Sequence, residues 1–203
     1  MADDQDERVQ RGRRGPGRPR QEHVTRAVLD AVVELVAEHG MGALTMDAVA
    51  ARAGVSKPAM YRRWSTKQDL VIAAAESRIG QLTVPDMGDF RAELRAVLVA
   101  RMEAYRRPGV DRLLAGVIGA SAEEGAVREA FHAYTERVTS ETRHVLERGV
   151  ARGDVRPDAD LAATTTLVAS SLVFRIVAEQ RMPDEALVES VAELIGRAVG
   201  ARP

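Results

Sequence analysis

The stretch from Leu44 to Lys67 is LTMDAVAARAGVSKPAMYRRWSTK, and its pattern predicts two short helices joined by a tight turn. Thr45 is a favourable N-cap for the first helix, and Gly54 is suited to end it because glycine adopts the left-handed conformation of a helix terminus. Ser56 is a favourable cap for the second helix, where Pro58 in the first turn costs no hydrogen bond. A helix, a short turn with glycine and a second helix form the arrangement that places a recognition helix in the major groove of DNA. We therefore predict DNA binding.

The second helix divides its residues between packing and contact with DNA. Met60 and Trp64 lie four residues apart, share one face and are predicted to pack on the neighbouring helices. The remaining surface offers arginine forks for guanine, a small apolar contact for a thymine methyl and donors for phosphates. Its residues are Lys57, Pro58, Ala59, Tyr61, Arg62 and Arg63, with Lys67 just beyond them. The alternative interpretation is an ordinary solvated polar face.

This segment resembles the DNA-binding headpiece of the TetR family of bacterial transcriptional regulators. The shared pattern is T-x-x-x-[IVL]-A-x-x-A-G-V-S-x-x-x-[LM]-Y-x-x-[FW]-x-x-K-x-x-L. It is carried here by Thr45, Val49, Ala50, Ala53, Gly54, Val55, Ser56, Met60, Tyr61, Trp64, Lys67 and Leu70. The resemblance covers about the first third of the chain. It implies an all-helical homodimer whose C-terminal domain senses a small molecule.

The same resemblance implies which residues meet DNA. It places Lys57, Pro58, Ala59, Tyr61 and Arg63 at DNA-contacting positions and Lys67 at a phosphate clamp, and we add Thr45, Ser56 and Arg62 to the predicted surface. Two departures from the family pattern stand out. Trp64 replaces the commoner Phe, and Arg62-Arg63 replaces the commoner aromatic–His pair. The operator sequence therefore does not carry over from other members.

Charge is distributed unevenly along the chain. The net charge is −1, but residues 11–70 carry an excess of five positive charges, while residues 71–203 are net acidic. A basic segment on an acidic body is typical of proteins that bind nucleic acid. Much of the excess lies in RGRRGPGRPR, residues 11–20, whose Gly and Pro are predicted to oppose a helix. Its Gly17-Arg18-Pro19 core resembles an AT-hook, so Arg18 and Arg20 are predicted to enter a minor groove; a solubilising tail is the alternative.

Composition excludes several other classes of protein. The chain has no cysteine, which excludes disulfides, zinc fingers and thiol catalysis. The start, MADDQDE, is too acidic for a signal peptide, and no window of about 18 uninterrupted apolar residues predicts a membrane span. We expect a cytoplasmic protein that associates with the nucleoid when bound to DNA. Four scattered histidines, no phosphate loop and no nucleophile elbow predict no metal, no cofactor and no enzymatic activity.

The whole chain is predicted to be all-α, with about nine helices. Three segments are expected: a disordered arm over residues 1–20, a helix-turn-helix headpiece over 21–82, and a body for ligand sensing and dimerisation over 83–203. The headpiece is predicted to begin with a helix from about Gln21 to His39. A helix from Thr66 to Gly80 is predicted to couple headpiece and body. The body is predicted to hold five helices, over about 90–106, 110–120, 123–152, 159–180 and from 183 onward.

The helix predicted over 159–180 is apolar on two stripes, so we expect it to be buried on both sides. With the last helix, it would form a two-fold four-helix bundle with its copy, which matches a palindromic operator. The residues predicted at this dimer interface are Leu161, Thr165, Val168, Leu172, Leu187, Val191 and Leu194. A central helix of a monomeric bundle is the alternative.

The resemblance also implies a ligand cavity among the first, third and fourth helices of the body, capped by the second. The candidate lining residues are Met102, Tyr105, Leu113, Val117, Phe131, Tyr134 and Phe174, with Arg101 or Arg175 as a polar anchor. Such a cavity suits a small, mostly apolar ligand. The predicted function is a repressor released by that ligand. Two alternative functions are a DNA-bound protein whose body binds another protein and an enzyme that carries a helix-turn-helix. For each candidate lining residue, the alternative is ordinary packing in the core.

Overall fold

The structure, a computed structural model, describes residues 17–120 and 125–201, and in that part of the chain it is all-helical as predicted. The helices are α1 (Gly17–His39), α2 (Met46–Ala53), α3 (Lys57–Tyr61), α4 (Lys67–Ile79), α5 (Phe90–Tyr105), α6 (Val110–Ala120), α7 (Ala126–Arg152), α8 (Leu161–Val177) and α9 (Glu185–Val199), with a 3₁₀ turn at Met41–Ala43. Within these residues the β-type pairing is an isolated bridge between Val155 and Gly200. None of the described helices combines the length and the apolar character needed to cross a membrane.

Helix α1 begins at Gly17, four residues before the predicted start. Pro19 lies in its first turn, where a backbone N–H has no intrahelical acceptor to lose, and the proline φ already suits a helix. The prediction that Gly and Pro keep the arm out of a helix was therefore wrong for residues 17–20. Residues 1–16 of the predicted arm lie outside the described residues.

Side-chain caps fix most helix starts. The Thr45 hydroxyl accepts a hydrogen bond from the Ala48 amide (3.1 Å). Thr66 and Asp69 form a reciprocal capping box at α4, with amide-to-side-chain distances of 3.0 and 3.1 Å. Aspartates cap α5, α8 and α9. Ser56 occupies the N-cap position of α3 but makes no cap hydrogen bond, so the predicted side-chain cap is absent there.

The buried core runs continuously through both parts of the chain. It extends from Val28 in α1 to Val199 in α9, and includes Leu94 of α5 and Leu146 of α7, both with no exposed surface. Val84, just past the predicted boundary at 82/83, belongs to the same core. The proposed division into headpiece and body therefore separates roles along the chain and does not separate two hydrophobic cores.

Arginines of the body bind the C-terminal ends of the headpiece helices. Their guanidinium groups donate to backbone carbonyls at these helix ends, where carbonyls lack intrahelical partners or, as at Val36, accept a second hydrogen bond beside that of the Gly40 amide (2.9 Å). The contacts are Arg112 to Val36 (3.1 Å), Arg107 to Arg78 (2.7 Å) and Arg101 to Gly80 (3.4 Å). Helix α6 also approaches the headpiece closely, because a Cβ at Gly116 would lie 2.6 Å from the Met41 side chain. The body therefore contacts the C-terminal ends of α1 and α4 directly.

Candidate nucleic-acid interface and ligand cavity

Helix α3 is shorter than predicted, but it keeps the expected division of its faces. Regular helix ends at Tyr61, and a tighter turn follows in which the amide of Arg63 bonds to the carbonyl of Met60 (3.0 Å). Arg62 and Arg63 therefore lie in the turn after the helix, which corrects the prediction of a helix through Trp64. Met60 is 1% exposed and Trp64 is 8% exposed, so their predicted packing role is confirmed.

The opposite face of α3 carries the predicted DNA surface. Exposed members are Thr45, Ser56, Lys57, Pro58, Tyr61, Arg62 and Arg63, whereas Ala59 and Lys67 are half-buried. Two of its cations already have partners: the Lys57 ammonium lies 2.7 Å from an Asp47 carboxylate oxygen, and Arg63 donates to the Gln21 carbonyl (3.1 Å). Exposed contacts of this kind are weak, so DNA can replace both.

An exposed, forked ion pair joins helix α2 to α1. Arg52 donates to the Glu38 carboxylate at 2.7 and 3.0 Å and to Glu34 at 3.3 Å. The hydrogen bonds to Glu38 and Glu34 raise the pKa of the Arg52 guanidinium above its ordinary value. Because these side chains are exposed, the ion pair adds little to the buried residues of α2, Val49 and Ala50, which anchor the helix in the core. The side chains of Arg18 and Arg20, at the start of α1, lie outside the described residues, and their minor-groove role stays a prediction.

A cavity of about 420 Å³ lies between α5, α6, α7 and α8. Four of the predicted lining residues border it, namely Tyr105, Val117, Phe131 and Tyr134. The remaining apolar lining residues were not predicted: Leu114, Ile118, Val138, Ala162, Ala169 and Val173. The volume falls within the range of about 300–1,000 Å³ found for small-molecule pockets.

The other predicted lining residues lie elsewhere. Met102 and Leu113 are buried in the core, at 4% and 0% exposure, and do not border the cavity. Phe174 is 61% exposed on the outer side of α8, and Arg175 forms an ion pair with Glu179 at 3.2 Å. These four assignments are corrected, because helical spacing identifies residues on one face but not what that face meets.

Arg101 lies behind the cavity wall and is 6% exposed. Its guanidinium donates to the Val138 carbonyl (2.7 Å) and the Gly80 carbonyl (3.4 Å), and its Cζ lies 6.0 Å from the centre of the Tyr105 ring. Burial lowers the pKa of Arg101, but arginine keeps its proton in proteins. Burial also raises the pKa of Tyr105 and Tyr134, so both phenols stay neutral hydrogen-bond donors.

Helix α8 presents different residues to solvent than the predicted interface requires. Thr165, Val168 and Leu172 are at most 4% exposed within one chain, and Thr165 borders the cavity. Val191 is also buried, at 9%, while Leu161 and Leu187 are half-buried and Leu194 is 66% exposed. The buried members are corrected to core or cavity positions. The large exposed apolar side chains of α8 and α9 are Leu167, Phe174 and Leu194, and Met182 is exposed between these two helices.

Small residues on α8 create the cavity. Ala162, Thr165, Thr166, Ala169 and Ser170 border it at helical spacing, and their short side chains leave space beside α7. A small-residue stripe opposite aromatic side chains was the available sequence signal for the cavity.

Comparison with known proteins shows the same architecture and sequence pattern. Residues 28–74 match the model of bacterial regulatory proteins of the tetR family, and residues 84–195 match the tetracyclin repressor-like C-terminal domain. The second match alone spans more than half of the chain. The chain belongs to the TetR family. Its two matched regions correspond to α1–α4 and α5–α9 of this TetR-family protein.

Relatives of this TetR-family chain have helix-turn-helix regulator names. The uncharacterized HTH-type transcriptional regulator YdeS of Bacillus subtilis is 28% identical over 164 residues, covering 79% of this chain and 82% of its own length. The crystal structure of the TetR family transcription regulator SCO0332 is 28% identical, with a TM-score of 0.68 and coverage of 87% and 98%. FadR from Bacillus subtilis, crystallised with stearoyl-CoA, is 16% identical with a TM-score of 0.68, covers 86% of this chain and 98% of its own, and shares the fold.

Membership in the TetR family establishes a helix-turn-helix transcriptional regulator. Among the described residues of this TetR-family protein, no group of three or more His, Asp or Glu side chains is arranged to hold a metal ion. The described structure offers a partly basic helix face and a mostly apolar cavity.

Proposed function

We propose that this protein is a dimeric repressor that binds a palindromic operator and releases it when a small, mostly apolar ligand fills the cavity between α5 and α8. The observation that carries the proposal is the position of α4. This helix begins shortly after the turn that carries Arg62 and Arg63, which we call the recognition turn. Its C-cap is Gly80, whose carbonyl accepts a hydrogen bond from Arg101 behind the cavity wall. One helix thus connects the candidate DNA surface with the candidate ligand site. A cavity of this size also favours a small-molecule effector over a protein partner.

The repressor would alternate between two conformations that differ in the separation of its two α3 helices. A ligand that prefers one conformation shifts the equilibrium only by its difference in affinity for the two states. If that state binds the operator weakly, the operator must weaken ligand binding by the same factor. Helix α4 and the arginine contacts to α1 and α4 are the proposed coupling elements, and binding occurs in the bacterial cytoplasm.

Base recognition is assigned to Arg62 and Arg63, and phosphate binding to Lys67. Arg63→Ala is expected to weaken binding to the best operator by about 1–3 kcal/mol and to relax sequence preference, because a guanine contact distinguishes bases. Lys67→Ala is expected to weaken binding to operator and to random DNA by the same factor. It should also reduce the slope of log K against log salt concentration by about 1, because one phosphate contact is lost. Fluorescence anisotropy at two salt concentrations measures both effects.

An exposed arginine of the body provides the control for this comparison. Arg106 follows α5, far along the chain from the helix-turn-helix, and Arg106→Ala should leave binding to both DNAs unchanged. Equal losses on operator and random DNA for Arg63→Ala would contradict its role in base recognition. A loss confined to the operator for Lys67→Ala would contradict the phosphate assignment.

Dimerisation is assigned to the outer faces of α8 and α9. Glutamate at Phe174 or Leu194 is expected to raise the dimer dissociation constant at least about a hundredfold, because it would bury an unpaired charge in the interface. Analytical ultracentrifugation measures this constant. Met87→Glu changes an equally large exposed apolar side chain, 45% exposed in the α4–α5 connection, and should leave the dimer intact. A dimer that persists in both the Phe174 and Leu194 variants would refute this placement of the interface.

A further inference from the structure

Arg101 is a buried cation without a carboxylate partner among the described residues. Its two hydrogen bonds go to backbone carbonyls, which carry only partial negative charge. The other buried charged side chains of the body, Glu93 and Glu141, contact arginines instead, Glu93 at 3.0 Å and Glu141 at 3.9 Å. A buried charge without an opposite charge is costly, so the position of Arg101 favours binding of an anion.

A small void that Arg101 borders shares part of its wall with the cavity. This void of about 20 Å³ is bordered by Arg101, Tyr105, Val138 and Ala169, and the last three residues also border the large cavity. A space of roughly this size accommodates one water molecule, and hence also one carboxylate oxygen. An acid group at this end of the cavity would therefore lie next to the space that Arg101 borders.

The rest of the cavity wall is poor in available donors. The hydroxyls of Thr135, Thr139, Thr165, Thr166 and Ser170 each donate to a carbonyl of their own helix, at 2.7–3.2 Å. The phenol groups of Tyr105 and Tyr134 lie within electrostatic range of Arg101 and remain protonated. His132, Glu136 and Arg143 also border the cavity but are exposed to water. Within the described wall, buried donors are thus concentrated near Arg101.

We propose that the effector is an apolar acid whose hydrocarbon part fills the cavity and whose carboxylate binds Arg101. The biological role of this site rests on the proposed function, whereas the binding itself does not. The acid would compete with the Gly80 carbonyl, which makes the longer of the two hydrogen bonds to Arg101. Gly80 is the C-cap of α4, so this competition would loosen the C-terminal end of the helix that follows the recognition turn.

The test compares two probes that differ only in the acid group, decanoate and decanol, on the full-length protein without DNA. Isothermal titration calorimetry is expected to show decanoate binding about tenfold to a hundredfold more tightly, as expected for a hydrogen bond to a charged group. In Arg101→Met, decanoate should bind only as tightly as decanol. Arg143→Met, which removes the exposed arginine of the same cavity, should keep the full preference for the acid.

Several results would overturn the proposal. Equal affinity of the unaltered protein for the two probes would do so, and this comparison needs no variant, so it decides even where Arg101→Met folds poorly. A preference that survives in Arg101→Met, or that disappears in Arg143→Met, would place the acid elsewhere. Ala169→Phe should fill the cavity and abolish binding of both probes, and binding that persists would show a different site.

The effect on α4 has its own readout. Hydrogen exchange of the amides in residues 76–82 should rise at least severalfold with saturating decanoate and stay unchanged with decanol. No difference between the probes would contradict the proposed competition for Arg101. These experiments contain no DNA, so their failure would leave the DNA-binding proposal standing, and a failure to bind an operator would leave the acid site standing.

Discussion

Glu93→Ala is expected to lower the free energy of unfolding by about 3 kcal/mol, because it breaks a buried ion cluster. The Glu93 carboxylate has no exposed surface and lies 3.0 Å from Arg148 and 3.0 Å from Arg152. It also accepts a hydrogen bond from the Met87 amide (3.0 Å), which fixes the α4–α5 connection. Alanine would remove the carboxylate that Arg148 and Arg152 share, leaving Arg148 with Glu141 and Arg152 with Asp86 and Asp154. Both arginines partly reach water, which places the loss at the lower end of the range for buried pairs.

Urea denaturation followed by far-UV circular dichroism measures this loss, at one fixed protein concentration because a dimer is expected. The control is Glu189→Ala, which removes the partner of Arg95 from an exposed ion pair. Exposed pairs contribute little, so this variant should unfold almost like the unaltered protein. Equal losses in the two variants would mean that burial of Glu93 does not determine its contribution.

Trp64→Ala is expected to destabilise the headpiece by about 3–5 kcal/mol and to abolish specific DNA binding. Trp64 follows the recognition helix and is 8% exposed, so alanine would leave a large gap under the segment that carries Arg62 and Arg63. Trp64→Phe keeps an aromatic ring in this place and should retain most of the stability. Thermal unfolding by circular dichroism and operator binding on the same samples measure the two effects.

Tyr61→Ala separates packing from DNA contact in the same segment. Tyr61 is 49% exposed, so its replacement should leave the unfolding temperature nearly unchanged while weakening operator binding by roughly tenfold, as for a hydrogen bond to a charged phosphate. Normal operator binding by Trp64→Ala would contradict the packing role of Trp64. Unchanged binding by Tyr61→Ala would remove Tyr61 from the DNA surface.

The headpiece was predictable because local rules there agree with one another. Thr45 caps α2 and Thr66 caps α4, Gly54 ends α2 with a φ of 65°, and the spacing of Met60 and Trp64 matches their burial. The start of α1 was missed because Pro19 was taken as a helix breaker, although proline is tolerated in a first helical turn. Ser56 shows the same limit: a favourable residue at a cap position does not ensure a cap hydrogen bond.

The body was less predictable because its roles depend on tertiary packing. Helix α8 has two apolar stripes, and periodicity alone could not show that Val168 and Leu172 face the core while Leu167 and Phe174 face solvent. The cavity depends on small side chains such as Ala169, which provide space without a chemical signature of their own. Arg101 could be named as an anchor, but its burial and its contact with Gly80 follow only from the relative positions of α4, α5 and α7.

The central claim is that the face of α3 and the turn after it read a DNA sequence with two-fold symmetry. Selection of random duplex DNA on the purified protein tests it most directly, followed by binding of the selected duplex at two salt concentrations. We expect enrichment of an inverted repeat with half-sites related by the dimer axis, bound at least about a thousandfold more tightly than random DNA. Salt-sensitive binding without any enriched motif would contradict it, since the headpiece would then contact only the phosphate backbone.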